Sequence, residues 1–191
     1  MTTTTTTTKD KARFNDCMNF VLSWEGGYVN NPKDRGKETN RGITKAVFEE
    51  AKKDGLINKE RILKELTKEE AMTIYKKKYW DSWGWGNLPY PLSLCMFDMA
   101  VNHGGRGMAF IVQRAINSLS QNTLTVDGKY GKNTAKELYR LAEEKPLELS
   151  RKICDYRKDF YDRIIKSTPQ QEVFRRGWYN RVEAMRKKVE G

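Results

Sequence analysis

The stretch Trp24-Glu25-Gly26-Gly27-Tyr28 follows a run of apolar residues that recur every three or four positions. This spacing predicts an amphipathic helix. Gly26-Gly27 is a typical stop signal, so we expect Glu25 at the C-terminal end of that helix. A carboxyl group held partly out of water beside an aromatic ring keeps its proton more readily than an exposed one, as a general acid must. The apolar positions are Phe14, Cys17, Met18, Val21 and Trp24.

The residues after Glu25 predict a small β-containing lobe with further polar groups. Short extended and turn-forming residues fill positions 28–36 and include a second carboxylate, Asp34. Thr39 follows, and Thr44 is the predicted N-cap of the next helix. By itself, Glu25 is explained equally well as a solvated charge at a helix end and as a catalytic acid.

The remainder of the chain is predicted to be mostly helical. Thr67-Lys68-Glu69-Glu70 has the pattern of a capping box that opens a helix to about Trp80. The predicted fold class is therefore mainly α, with a small β-hairpin lobe. Further helices are predicted over 93–103, around 113–117, and after Pro146 over about 147–165 and 170–189.

Three blocks of sequence, in this order, resemble a known family. The first runs from Glu25 to Asp34 and continues through Glu38-Thr39-Asn40-Arg41-Gly42-Ile43-Thr44. The second is Phe97-Asp98-Met99-Ala100-Val101-Asn102-His103-Gly104, and the third is Val126-Asp127-Gly128-Lys129-Tyr130-Gly131-Lys132-Asn133-Thr134. Together they resemble the EGGY-motif N-acetylmuramidases of glycoside hydrolase family 108, which include phage endolysins and bacterial muramidases that assist secretion.

This resemblance implies a two-lobed, lysozyme-like fold and cleavage of the β-1,4 bond between N-acetylmuramic acid and N-acetylglucosamine. Glu25 matches the family's essential glutamate, the general acid, and Asp34 with Thr39 matches the groups that activate or position water. Asp34 is also explained as a turn residue paired with Arg35, and Thr39 as a turn hydroxyl. A separation of about 6.5–9.5 Å between the carboxyl groups of Glu25 and Asp34 would give inversion of the anomeric configuration. A separation of about 5–5.5 Å would give retention. The sequence leaves both outcomes open.

Five residues are candidates for contact with substrate. Tyr28 lies in the same block as Glu25, and Trp83 and Trp85 lie in a glycine-containing aromatic cluster. Aromatic rings suit stacking on sugar faces but also fill cores, so we expect some rings of this cluster in each place. Asn102 and His103 end an apolar helical run, where they either cap the helix or line the substrate groove.

The sequence predicts neither a metal site nor a cofactor. His103 is the only histidine, and Cys17, Cys95 and Cys154 lack the paired spacing of metal ligands. These cysteines are expected to be reduced thiols. Asp98 lies within an apolar helix, where we expect a buried, hydrogen-bonded structural carboxylate.

Three regions are expected along the chain. Residues 1–10 form a low-complexity, disordered tail in which threonines repeat from 2 to 8. Residues 11–110 form the lysozyme-like muramidase region. Residues 111–191 form a helical C-terminal lobe that resembles a peptidoglycan-binding segment, packed with the rest into one globular unit. Whether this lobe is a separate module or part of the catalytic fold is left open.

The formal net charge of +11 favours adsorption to anionic polymers of the bacterial envelope, besides peptidoglycan itself. The basic residues form no recognisable nucleic-acid-binding motif. We expect a monomer without a membrane span or a secretory signal, made in the bacterial (host) cytoplasm and acting on the wall or periplasm after release or export. An endolysin would need a holin or another export partner.

Two rival functions remain at this level. A lytic transglycosylase would leave 1,6-anhydro products instead of adding water. A catalytically silent module would bind the cell wall without cleaving it.

Overall fold

The computed structural model describes residues 8–30 and 38–191. Within them the chain is mainly helical with one small antiparallel sheet, which confirms the predicted fold class. The strands are β1 (Val29–Asn30), β2 (Glu38–Asn40) and β3 (Ile43–Thr44). The α-helices are α1 (Thr8–Leu22), α2 (Lys45–Lys53), α3 (Lys68–Tyr75), α4 (Leu92–Asn117), α5 (Lys132–Glu144), α6 (Pro146–Ser167) and α7 (Arg175–Glu190).

The chain divides into two compact units, Met1–Gly86 and Asn87–Gly191, called here the first and second units. The first contains α1, the sheet, α2 and α3, and the second contains α4 to α7. The predicted boundary between residues 110 and 111 falls inside α4. A division there would cut a helix of the second unit.

Helix α1 is amphipathic as predicted, but it ends before Glu25. The Trp24 N–H donates to the carbonyl oxygen of Val21 at 3.0 Å, a tightened last turn. The Ser23 hydroxyl donates to the Phe20 carbonyl oxygen at 2.7 Å and competes with helix continuation. The expectation that Gly26-Gly27 ends the helix at Glu25 is therefore wrong. The helix stops at Leu22, and Glu25 lies on the turn that follows.

The N-terminal residues also differ from expectation. Thr8, Lys9 and Asp10, assigned by sequence to a disordered tail, form the first turn of α1. Asp10 accepts a hydrogen bond from the indole N–H of Trp80 at 3.0 Å, and Trp80 is buried. The contact with a buried ring explains why helix begins this early.

The predicted caps of the next two helices are confirmed. The Thr44 hydroxyl accepts from the Val47 N–H at the start of α2. At the start of α3, Thr67 and Glu70 form a reciprocal capping box. Beyond Tyr75 the chain continues as a π-helical turn, Lys76–Asp81.

The second unit is built on α4, which packs against α6, while α6 packs against α7. Gly104 interrupts α4 with φ of +65° and ψ of 175°. Glycine adopts such a backbone conformation readily. The resulting break in α4 corresponds to the gap between the two separate helices that the sequence pattern predicts here. The last predicted helix begins instead as a 3₁₀ segment, Pro169–Phe174, followed by α7.

Helices of the described ranges include none with the length and apolar character needed to cross a membrane. Cys17, Cys95 and Cys154 are buried thiols.

Candidate active site

Glu25 is half-buried on the turn between α1 and β1. Its carboxylate lies against Gly42, the second residue of the two-residue connection between β2 and β3. A Cβ atom placed on Gly42 would lie only 2.5 Å from Oε2 of Glu25 and 2.5 Å from the hydroxyl oxygen of Tyr75. Both oxygens therefore lie too close to the Gly42 backbone to leave room for a side chain, and only glycine allows this approach.

The β2–β3 connection has the geometry of a tight hairpin turn. Asn40 pairs with Ile43 across it, and the two residues between them, Arg41 and Gly42, have φ of +51° and +75°. Positive φ at both central residues is the pattern of a type I′ turn, which matches the twist of two paired strands. A side chain at Arg41 is unusual there, so the surrounding structure must hold the turn in place.

Hydrogen bonds between side chains and backbone carbonyl oxygens hold this turn. The Tyr75 hydroxyl donates to the carbonyl oxygen of Arg41 at 2.9 Å. Arg41 Nε donates to the carbonyl oxygen of Leu66 at 3.1 Å, and buried Asn40 Nδ2 donates to that of Leu63 at 2.9 Å. The turn is thus tied both to α3 and to the segment before it, which fixes the surface facing Glu25.

Gly42 and Tyr75 were not among the residues that the sequence marked as functional. Gly42 lies in the first motif block, where a glycine after a strand signals a turn but not its contact. Tyr75 lies fifty positions after Glu25 on a helix and reads as a core residue. No pattern in the sequence links these residues.

Asp34 lies outside the described residues, and Thr39 lies inside them. Thr39 occupies the middle of β2, where it pairs with Val29 on one side and Thr44 on the other. Its side chain is half-buried. Thr39 is thus held by the sheet that carries the Gly42 turn.

Tyr28 lies on the surface beside this sheet and is 37% exposed. Its hydroxyl donates to Glu38 Oε1 at 3.1 Å, and Lys45 Nζ lies 2.9 Å from Glu38 Oε2. The hydrogen bond from Lys45 lowers the pKa of Glu38. Desolvation and the hydrogen bond to Glu38 raise the pKa of Tyr28. The hydrogen bond to Glu38 orients the Tyr28 side chain, which remains partly exposed to solvent.

Trp83 and Trp85, the two candidates for substrate contact in the aromatic cluster, differ in their exposure. Trp85 is completely buried, while Trp83 is half-buried and stacks on it with ring centres 5.6 Å apart. Trp85 therefore has no exposed face for a ligand, and its prediction as a substrate-binding residue is wrong. Burial of a large apolar ring stabilises the fold, and its neighbour covers it.

In the second unit, Asp98 is the buried structural carboxylate that the sequence predicts. Arg157 Nη1 donates to it at 2.5 Å and Arg181 Nη2 at 2.7 Å. Burial alone would raise the pKa of Asp98, but the two arginines hold it below its usual value. Asp98 therefore remains charged within the core.

His103 and Asn102 both contact Arg157. Arg157 Nε donates to His103 Nε2 at 3.0 Å, so this nitrogen carries no proton and the imidazole is neutral. Burial of the ring and the positive charge of Arg157 hold the pKa of His103 well below its ordinary value. Asn102 is exposed, and its Oδ1 accepts from the Tyr161 hydroxyl at 2.8 Å. His103 is thus part of the buried hydrogen-bonded cluster, whereas Asn102 extends from that cluster to the surface.

Two family models match consecutive segments of the chain. Residues 18–104 match the family model of glycosyl hydrolase 108, and residues 108–183 match that of a predicted peptidoglycan domain. The solved structure of SagA from Brucella abortus is 28% identical in sequence, with a TM-score of 0.70 over 94% of each chain. No curated protein matches the chain. Residues 18–104 are therefore similar to the glycosyl hydrolase 108 family, and residues 108–183 are similar to a predicted peptidoglycan domain.

Proposed function

We propose that this glycoside hydrolase is an N-acetylmuramidase that cleaves the β-1,4 bond between N-acetylmuramic acid and N-acetylglucosamine in peptidoglycan. The observation that carries the proposal is the placement of Glu25 against the Gly42 turn, within the segment that matches the hydrolase family. The predicted peptidoglycan domain supports the choice of substrate.

In this mechanism Glu25 is the general acid. Its proton passes to the glycosidic oxygen as the bond to the anomeric carbon breaks and an oxocarbenium-like centre develops. Asp34 acts as the base that removes a proton from the attacking water, and Thr39 holds that water. This arrangement predicts inversion at the anomeric carbon.

Substrate contacts are proposed for Tyr28 and Trp83 on the first unit and for Asn102 and His103 on the second. Tyr28 offers an exposed ring with a fixed hydroxyl, and Trp83 is the less buried ring of its stack. Asn102 is exposed and is the direct contact of the two, whereas the role proposed for His103 is indirect, through its hydrogen bond with Arg157.

The test compares wild-type protein with Glu25→Gln on purified peptidoglycan. The amide keeps the shape of the side chain but has no acidic proton to give, so we expect cleavage to fall by about 10²–10⁴-fold. Glu60→Gln, an exposed residue of the same unit, is the matched control and should cleave normally. Thermal unfolding of both variants checks that they fold. Full cleavage by Glu25→Gln would refute the assignment of the acid.

Mass analysis of the products separates the rival reactions. Hydrolysis adds one water to each cleaved bond, whereas a transglycosylase yields 1,6-anhydro ends. Anhydro products would therefore refute hydrolysis. Binding to the wall by wild-type protein without any cleavage would instead identify a silent binding module.

A further inference from the structure

Arg157 is fully buried, and each of its five N–H groups has an acceptor. A guanidinium only donates hydrogen bonds, so every atom around it must present a lone pair. Arg157 therefore sets the orientation of each neighbouring polar group. The acceptors are His103 Nε2 at 3.0 Å, Asp98 Oδ2 at 2.5 Å, Met185 Sδ at 3.6 Å, Asn102 Oδ1 at 3.4 Å and the Tyr161 hydroxyl oxygen at 3.4 Å.

Asn102 is the one exposed side chain in this set. Its amide oxygen accepts from Arg157 and, at 2.8 Å, from the Tyr161 hydroxyl. Since both contacts require the oxygen to face inward, the NH₂ group of Asn102 must face away from the cluster. The described residues provide no partner for that NH₂ group, which is left as a pair of donors at the surface.

The charge behind Asn102 restricts what this NH₂ group can bind. Asp98 is a single carboxylate shared by Arg157 and Arg181, so the three groups together carry one net positive charge. A donor pair in front of a positive charge favours an oxygen acceptor and disfavours an ammonium group. An amide carbonyl fits this requirement.

Aromatic rings lead from Tyr161 towards the surface. Trp178 stacks on Tyr161 with ring centres 4.6 Å apart, and Phe174 stacks on Trp178 at 5.8 Å. Phe174 is 51% exposed. Flat apolar rings provide a face on which a pyranose ring can lie. A peptide carbonyl is the same kind of hydrogen-bond acceptor as the carbonyl of a sugar acetamido group. A peptide, however, has no pyranose ring to stack on these aromatic side chains.

We propose that the Asn102 amide donates a hydrogen bond to the acetamido carbonyl of an N-acetylated amino sugar, with Tyr161 and Arg157 as positioning residues. The inference rests on the proposed function for its substrate, peptidoglycan. It adds two details to that function. The first is the chemical group of the substrate that Asn102 recognises, the acetamido carbonyl. The second is the pair of residues, Tyr161 and Arg157, that orient the Asn102 amide.

The test measures binding of soluble, peptide-free N-acetylated glycan fragments to the Glu25→Gln form by calorimetry. Asn102→Asp keeps an oxygen for Tyr161 and Arg157 but replaces the donor, and it should raise Kd about tenfold. Tyr161→Phe removes the shorter of the two hydrogen bonds that orient the amide and should raise Kd about threefold. Tyr179→Phe is the matched control, because it removes a comparable hydrogen bond, to Asp162 at 2.7 Å, that does not involve Asn102. This control should leave Kd unchanged.

A second arm compares ligands. N-deacetylated fragments should bind more weakly than N-acetylated ones, and the difference should shrink in Asn102→Asp. Equal binding of both fragments by wild-type protein, or an unchanged Kd in Asn102→Asp, would overturn the inference. An Asn102→Asp effect confined to isolated stem peptides would also overturn it in favour of a peptide carbonyl.

Kinetics with active enzyme separate binding from folding defects. Asn102→Asp with Glu25 intact should raise KM and leave kcat unchanged, because it touches recognition and not the acid. A lower kcat at unchanged KM would contradict the assignment. Failure of the proposed function is distinguishable, since it would show as cleavage by Glu25→Gln, whatever the binding data give.

Discussion

Asp98 and His103 differ in how a buried ionisable residue is accommodated. Asp98 keeps its charge because two guanidinium groups contact it. His103 is neutral because its Nε2 must accept from Arg157 and its ring packs against Phe160 and Tyr161. At the residue scale, each protonation state is therefore set by partners on α6 and α7 and not by neighbours in sequence.

The neutral state of His103 leads to a prediction about pH. Since the folded pKa lies well below the ordinary 6.5, the unfolded chain binds a proton first as pH falls below that value. The free energy of unfolding should therefore be highest above 6.5 and should decline below it. Denaturant unfolding of wild type and His103→Gln checks this, because glutamine retains an acceptor without titrating. The variant should lack this part of the decline.

Nitrogen NMR of the single histidine provides a direct control. The imidazole should remain neutral at pH 6, with the proton on Nδ1. Protonation with a midpoint near 6.5 would contradict the role assigned to Arg157.

The Gly42 turn is the element that gives Glu25 its surroundings. It is only two residues long, yet it is tied by side-chain hydrogen bonds to α3 and to the segment before α3. Such a turn keeps its shape when substrate binds, which is what a catalytic group requires of its neighbours.

The chain offers a matched pair of glycines that tests this role. Gly42 and Gly55 have φ of +75° and +71°, so alanine strains both backbones alike, by about 1–2 kcal/mol. Only at Gly42 does the added Cβ meet Glu25 and Tyr75, since nothing lies within 4 Å of the corresponding position at Gly55. We expect Gly42→Ala to lose most of its activity and Gly55→Ala to lose stability alone.

Hydrolysis rates and unfolding midpoints of the two variants provide the measurement. Equal activity in both, after correction for the folded fraction, would show that the approach of Gly42 to Glu25 is unimportant for catalysis.

The whole molecule carries 36 basic and 25 acidic side chains, which gives its net charge of +11. Many of these groups form surface ion pairs, such as Arg151 with Glu190 and Arg186 with Asp155. Exposed pairs contribute little to stability, so the excess of positive charge acts chiefly on association with polyanions.

This excess predicts that adsorption depends on salt. Raising NaCl from about 0.05 to 0.5 M should weaken binding to wall that retains anionic polymers by about tenfold or more, because salt screens exposed charges. Binding to uncharged, peptide-free glycan should change little. Sedimentation with both kinds of material measures the difference, and an equal salt response would indicate that charge does not drive adsorption.

The parts of this protein that sequence predicted well are local. Helical periodicity, the Thr44 cap and the Thr67 capping box depend on residues within a turn or two of each other, and all three are confirmed. The motif blocks also predicted the family whose model matches residues 18–104. The end of α1 was missed because Ser23 competes for a backbone carbonyl three residues before it.

Sequence alone thus determined the fold class, the family resemblance and Glu25 as the candidate acid, because each depends on short patterns of side-chain type. Tertiary structure decided which groups meet. Gly42 lies against both Glu25 and Tyr75, Arg157 orients Asn102 from 55 positions away, and Trp85 is buried. Such contacts arise from packing between distant elements, whose geometry no local pattern specifies.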